Sequence, residues 1–203
     1  QDRLISAIVG GIGLQNTYDV DGRRVQQITN GITTNYLWDI ESLYGDVVLE
    51  TDEIGAIQAS YVFGNAELIA QRRDGTTSYY LHDGQGSVRA LVDDSGSVTD
   101  IYRYTAFGEQ QQHNGTTINP YRYTGQHFDI FTGLYNLRAR YYNPTDGRFL
   151  SRDLAKLNTF DPVEWNRYNY ARMNPIMYTD PTGWSGTAAG TLNPTQGSIG
   201  GGT

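Results

Sequence analysis

The side chains that could support metal or nucleophilic chemistry are few and scattered along this chain. The three histidines, His82, His113 and His127, lack the close spacing of metal ligands, and the chain has no cysteine. Ser151 and Ser185 have no nearby histidine in the pattern of a serine triad. We therefore expect neither a metal site nor a cofactor.

Carboxylates near the C-terminal end are the remaining candidates for acid–base chemistry. Two carboxylates that share one proton can act as a base and an acid toward a bound water. Asp153 and Asp161 lie close to Gly or Pro residues, where Asp commonly forms turns or caps helices. Asp180 directly precedes Pro181 and is expected to shape a turn. Residue type alone therefore favours structural roles for these acids.

The composition indicates a β-rich protein without a nucleic-acid partner and without a membrane-spanning helix. The chain has 24 glycines and 16 tyrosines among 203 residues, and tyrosine favours strands while glycine favours tight turns. Its net charge is −7, whereas binding to phosphates needs a clustered positive patch. Lys156 is the lone lysine, so arginines supply the cations that stack on aromatic rings. No apolar run approaches the roughly 20 residues of a membrane-spanning helix.

Tyrosines recur at intervals of about 20 residues, which indicates an internal repeat. They are Tyr18, Tyr36, Tyr61, Tyr80, Tyr102, Tyr121 and Tyr141. Turn signals containing glycine separate them at Asp19–Arg24, Asp52–Ile57, Asp93–Val98 and Phe107–Glu109. Apolar and polar residues alternate on both sides of these turns, and this pattern predicts antiparallel hairpins.

Three regions follow from this pattern. Residues 1–120 are predicted to form the repeat ribbon, and residues 121–184 a denser aromatic core. The core includes a short helix around Glu164–Met173, which Pro175 ends. Residues 185–203 form a Gly/Ser-rich tail, which we interpret as a released or variable C-terminal region.

Three segments of the chain resemble the rearrangement-hotspot (RHS), or YD-repeat, family. They are Tyr18–Val25 (YDVDGRRV), Gly133–Asp153 (GLYNLRARYYNPTDGRFLSRD) and Asn166–Trp184 (NRYNYARMNPIMYTDPTGW). The resemblance implies a mainly β fold, in which an antiparallel strand-turn-strand ribbon curls into a spiral, cocoon-like sheet. The RHS-associated core would form a plug at its C-terminal end. The family includes bacterial polymorphic toxins, the C component of ABC toxins and the shell of teneurins.

The resemblance also implies intramolecular cleavage, because the core of this family is similar to an aspartyl self-protease. The segment Pro175–Trp184 matches the family's cleavage motif, with Trp184 where the family usually has Leu. The implied scissile bond joins Trp184 to Ser185, and Asp180, Pro181 and Gly183 complete the cleavage site.

The family's catalytic acids are carried over to three positions of this chain. The first acid falls on Asp153, with Arg152 directly before it as a cation that could hold a carboxylate ionised. The second acid lies just before an Asn-x-Tyr token and falls on Glu164 or Asp161. Alignment on Asn166 favours Glu164.

Two functions follow as alternatives. In the first, the chain is a non-enzymatic structural shell of an exported bacterial system, and its one reaction is self-cleavage that releases the tail. Its partners are then its own tail or the rest of a longer RHS polypeptide. In the second, it is a subunit of an extracellular fibre or surface assembly, a homo-oligomer or filament joined by strand addition at a sheet edge. Both predict a secreted or cell-surface location.

Overall fold

The computed structural model describes residues 3–64, 67–155, 159–184 and 186–189. Its largest element is an eleven-stranded antiparallel sheet, in which each strand pairs with the next one along the chain. The strands are β1 (Ser6–Val9), β2 (Ile12–Tyr18), β3 (Arg24–Thr29), β4 (Ile32–Asp39), β5 (Asp46–Thr51), β6 (Ile57–Gly64), β7 (Glu67–Arg73), β8 (Thr76–His82), β9 (Val88–Val92), β10 (Val98–Tyr104) and β11 (Gln110–Asn114). This meander confirms the predicted β-rich hairpin ribbon.

Four hairpins turn through the same Asp-x-x-Gly geometry. The turns begin at Asp19, Asp52, Asp83 and Asp93. In each turn the aspartate carboxylate accepts a hydrogen bond from the backbone N–H four residues later, at 2.8–3.0 Å. The glycine three residues after each aspartate has φ between 78° and 91°, a region that glycine enters without steric cost. Side-chain and backbone chemistry of the local sequence therefore close these turns.

The tyrosine repeat corresponds to pairs of strands. Tyr36, Tyr61, Tyr80 and Tyr102 lie on β4, β6, β8 and β10. Every second strand therefore contributes one tyrosine to the same side of the sheet. All four are buried, and they form one cluster with Val47, Ala59, Leu68, Val88 and Leu91. Because side chains alternate between the two faces of a strand, Leu37, Val62, Leu81 and Ile101 are exposed on the other side.

The chain after β11 covers the tyrosine face of the sheet. Tyr80 donates a hydrogen bond from its hydroxyl to Asn119 Oδ1 at 3.0 Å, and Val88 N–H donates to the carbonyl of Arg122 at 3.0 Å. Tyr121 packs edge-on against Tyr61, with 5.0 Å between the ring centroids. The sheet therefore has a core on one face, which the C-terminal third of the chain completes.

A second, four-stranded antiparallel sheet follows. It contains β12 (His127–Asp129), β13 (Leu134–Leu137), β14 (Arg140–Asn143) and β15 (Arg148–Phe149), and a further pair joins β16 (Tyr178–Thr179) to β17 (Thr187–Ala188). The core beside the four-stranded sheet is a cluster of aromatic rings together with Leu137 and Ala171. The aromatic residues of this cluster are Tyr123, Tyr135, Tyr142, Phe149 and Tyr170. Stacking of rings replaces an aliphatic interior in this region.

The predicted helix at Glu164–Met173 takes the form of two separate 3₁₀ turns, Pro162–Trp165 and Ala171–Met173. In the second turn Ala171, Arg172 and Met173 all have positive φ, between 46° and 59°. This left-handed backbone cannot continue a right-handed helix, so the helical stretch is shorter than its sequence suggests.

The longest helical segments in the described part of the chain are far too short to cross a bilayer.

Candidate functional site

A cavity of about 300 Å³ lies where the second sheet meets the segment that carries the implied cleavage site. We call it the Arg140 cavity. Asp153, Glu164, Asp180 and Trp184 contribute to its wall together with Arg140. Four residues singled out from the sequence as catalytic or cleavage-site residues therefore line a single cavity.

Arg140 joins two of these carboxylates. Its Nη2 atom lies 3.1 Å from Asp153 Oδ2 and 3.5 Å from Asp180 Oδ2, and its Nε–H donates to the carbonyl of Gly183. The guanidinium also lies over the ring of Phe149, 3.6 Å from its centroid. Only 5% of Arg140 is exposed, and this burial lowers the pKa of its guanidinium from the usual value, while the two aspartates oppose the shift. The cation thus brings both carboxylates and the cleavage turn together.

Asp153 is held in place by the pairing of two chain segments. Its N–H donates to the carbonyl of Arg167 at 2.9 Å, and Arg167 Nη2 donates back to the carbonyl of Asp153 at 2.7 Å. Asp153 Oδ1 accepts from the N–H of Ala155 at 2.7 Å. One carboxylate oxygen therefore caps the local turn, and the other, Oδ2, faces Arg140.

The cleavage turn, residues 180–184, packs tightly against the connection between β13 and β14. Asp180 is 2% exposed, and its Oδ1 accepts from the N–H of Gly183 at 2.9 Å. Gly183 has φ of +73°, and a Cβ atom there would lie 2.4 Å from the carbonyl oxygen of Leu137. Only glycine fits this position without moving the backbone.

Asp161 and Glu164 both lie near Arg172. Asp161 Oδ2 is 2.6 Å from Arg172 Nη2, and its Oδ1 accepts from the N–H of Val163, which caps the 3₁₀ turn. The hydrogen bond with Arg172 lowers the pKa of the Asp161 carboxyl. Glu164 Oε1 is 4.0 Å from Arg172 Nη1. Of the two predicted alternatives for the second acid, Glu164 lines the Arg140 cavity, and Asp161 is engaged as a cap.

The arginine beside Asp153 is Arg140 rather than its sequence neighbour Arg152, whose side chain is exposed. Pro181 belongs to the cleavage turn, and Ser185 lies outside the described residues. Arg140 and Arg167 were not among the site residues predicted from the sequence. A signal was present for Arg140, since an arginine at the start of an aromatic strand is expected to be paired when that strand is buried.

Comparisons with known proteins identify the family. The Teneurin YD-shell family matches residues 17–176. The tRNA3(Ser)-specific nuclease WapA of Bacillus spizizenii is 38% identical over 170 residues, which cover 82% of this chain and 7% of WapA. The double-stranded DNA deaminase toxin A of Burkholderia cenocepacia is 29% identical, over 86% of this chain and 12% of the toxin.

Solved structures with the same fold include the crystal structure of TcdB2-TccC3-TEV. Its TM-score is 0.66 at 24% sequence identity, and the match covers 84% of this chain and 9% of the matched chain in that structure. The structure of the Tc holotoxin pore of Photorhabdus luminescens has a TM-score of 0.64 at 23% sequence identity. That match covers 91% of this chain and 9% of the matched chain. The chain thus spans less than a tenth of the WapA nuclease and of both structures. This chain is an RHS/YD-repeat shell segment and belongs to the teneurin YD-shell family.

Proposed function

We propose that this chain is the shell segment of a larger exported bacterial protein, and that it cleaves its own backbone between Trp184 and Ser185. The observation that carries the cleavage is that Asp153 and Asp180 contact one nitrogen of Arg140, in a cavity that Trp184 also lines. Relatives named as a nuclease and a deaminase toxin support a shell within a toxin system at the cell surface or outside the cell. The shell's partner is then its own tail or the rest of the longer polypeptide.

The proposed reaction is hydrolysis of one peptide bond. One carboxylate of the pair accepts a proton from a water molecule, whose oxygen attacks the carbonyl carbon of Trp184. The other carboxyl, in its protonated form, donates its proton to the nitrogen of Ser185 as the C–N bond breaks. The products are a carboxylate at Trp184 and a free amine at Ser185. One carboxyl of the pair must therefore hold a proton when the C–N bond breaks.

The pair we favour is Asp153 with Asp180, because both carboxylates contact the guanidinium of Arg140. Glu164, the second acid that the family resemblance implies, lines the same cavity and is the alternative partner of Asp153. Arg140 holds the turn by donating to the carbonyl of Gly183, which belongs to the peptide unit directly before the scissile one. Its charge keeps the carboxylate that acts as the base ionised.

Intact mass over time after refolding tests this proposal. We expect the wild type to accumulate a species that ends at Trp184, and Asp153→Asn to slow its appearance by at least about 100-fold. Asp94→Asn, a change at an exposed surface aspartate, is the matched control and should cleave like the wild type. Loss of cleavage in Asp180→Asn but not in Glu164→Gln supports the Asp153–Asp180 pair, and the reverse result assigns Glu164. A wild-type chain that remains whole across pH 4 to 8 overturns the proposal.

A second candidate, assembly by strand addition, is favoured by the ends of the large sheet. β1 and β11 are its outermost strands, and Ile8 on β1 is 81% exposed. An apolar strand with an unpaired edge can pair with another chain.

A further inference from the structure

Two side chains from beyond the Arg140 cavity hold the main chain of the segment that contains the cleavage turn. The first is Gln85, in the turn between β8 and β9 of the large sheet. Its Nε2 donates to the carbonyls of Pro175 and Ile176 at 2.7 and 2.8 Å. Gln85 is itself fixed, because its N–H donates to the carboxylate of Asp83 at 3.0 Å. This side chain therefore attaches the start of segment 175–184 to one end of the sheet.

The second is Arg138, in the connection between β13 and β14. Its Nη1 donates to the carbonyl of Pro181 at 2.7 Å and to Gln126 Oε1 at 3.0 Å. Its other donors reach the large sheet at the start of β5, where Nη2 contacts Asp46 Oδ1 at 2.8 Å and Nε donates to the carbonyl of Gly45 at 3.1 Å. One guanidinium thus links the eleven-stranded sheet to the cleavage turn.

Further contacts hold Arg138 in its position. Arg138 has a φ of +59°, and Asn136 Oδ1 stabilises this left-handed residue by accepting its N–H at 2.9 Å. Asp46, its partner on the sheet, is 6% exposed, and the Arg138 side chain is 23% exposed. A charge-assisted hydrogen bond to a buried carboxylate holds its geometry firmly. Segment 175–184 is consequently tied to the sheet at two places, one near its start and one three residues before Trp184.

We infer that Arg138 and Gln85 are positioning residues that make cleavage conditional on the docking of segment 175–184 onto the eleven-stranded sheet. The inference rests on the proposed function. Neither side chain lines the Arg140 cavity, so their effect passes through the backbone of residues 175–184. Displacement of a reacting group by about 1 Å can cost about 100-fold in rate. A chain whose sheet has not formed would then keep its Trp184–Ser185 bond whole.

Cleavage rates of Arg138→Met and Gln85→Leu test this inference. We expect a decrease of about 10- to 100-fold in variants whose far-UV spectrum and thermal unfolding show a folded chain. Arg103→Met and Gln58→Leu, two exposed positions on β10 and β6, are matched controls that should cleave at the wild-type rate. Arg138→Lys should recover part of the rate, because an ammonium can donate to Pro181 or Asp46 without forming the full fork.

The pH profile separates positioning from a role in the chemistry. The rate in Arg138→Met should fall equally at every pH, because the carboxylates and Arg140 are unchanged, whereas Arg140→Lys should alter the shape of the profile. A folded Arg138→Met variant that cleaves at the wild-type rate overturns the inference and leaves the proposed function standing. A wild type that never cleaves overturns both.

Hydrogen exchange provides a readout that does not need cleavage. In an Asp153→Asn background, the Gly183 amide is protected by its bond to Asp180. Adding Arg138→Met should increase exchange in residues 175–184 by at least about 10-fold, while β13 and β14 keep their protection. Unchanged exchange in that segment would contradict the positioning role, and increased exchange throughout the second sheet would show a merely structural one.

Discussion

His127 shows how single residues adapt to an interior made of tyrosine and arginine. Arg24 Nη2 lies 3.1 Å from His127 Nδ1, and since arginine can only donate, Nδ1 must accept and the ring is neutral. Tyr36 and Tyr121 contact the imidazole ring in edge-on geometry, with centroids 5.8 and 5.6 Å away. Burial lowers the pKa of His127 well below its usual value, and the positive charge of Arg24 acts in the same direction.

This arrangement predicts a loss of stability in mild acid. The unfolded chain binds a proton at His127 below about pH 6.5 and the folded chain does not, so the free energy of unfolding falls as pH drops through that value. The contribution of this group is at most about 1.4 kcal/mol per pH unit. His127→Gln keeps an acceptor for Arg24 but cannot titrate. We expect a flatter dependence for this variant when urea unfolding is measured from pH 7.5 to pH 5.

Burial also lowers the pKa of His82, and this residue is present in both the wild type and the His127→Gln variant. The difference between wild type and His127→Gln therefore isolates the one group. Parallel curves over that range would contradict the buried neutral histidine.

The hairpin is the element that the local sequence specifies most completely. In the Asp52 turn, one carboxylate oxygen accepts from the N–H groups of Ile54 and Ala56 at 3.1 and 2.8 Å, and Gly55 has φ of +85°. This is why Asp-x-x-Gly signals located hairpin turns in the sequence. The turn that begins at Asp83 has the same geometry and was absent from the predicted set, although its sequence, DGQG, contains the required Asp and Gly.

Removing the carboxylate tests the contribution of such a turn. Asp52→Ala leaves two backbone N–H groups without their acceptor, and we expect it to lower the free energy of unfolding by about 1 kcal/mol. Glu53→Ala, the exposed next residue, should change it by less than about 0.5 kcal/mol. Chemical denaturation of the two variants measures both values. Equal stabilities of the two would show that the backbone turn alone holds the hairpin.

At the scale of the whole molecule, the large sheet is closed on one face by its own C-terminal third and ends at β1 and β11. The exposed apolar side chains on β1 include Ile8 at 81% and Val9 at 47%. This edge distinguishes the two candidate functions, because self-cleavage does not need it and strand addition does.

Light scattering coupled to size exclusion tests the edge. If strand addition operates, the chain should elute as multiples of 22.7 kDa, and Ile8→Lys should shift it to the monomer, since an edge lysine blocks pairing. Ile57→Lys places the same charge at an exposed position of the interior strand β6 and should leave assembly unchanged. A wild-type chain that is monomeric at all concentrations excludes assembly through this edge.

The sequence by itself determined the hairpins, the tyrosine repeat and the family, because alternation and Asp-x-x-Gly turns act over a few residues. It also identified Asp153 and the turn at Asp180, but treated the latter as a structural acid. The tertiary structure alone decided which carboxylates meet. Asp153 and Asp180 approach through Arg140, across the pairing of residues 149–153 with 167–168 and the packing of Gly183 on Leu137. Contacts between residues so far apart in the chain depend on packing, which no local pattern encodes.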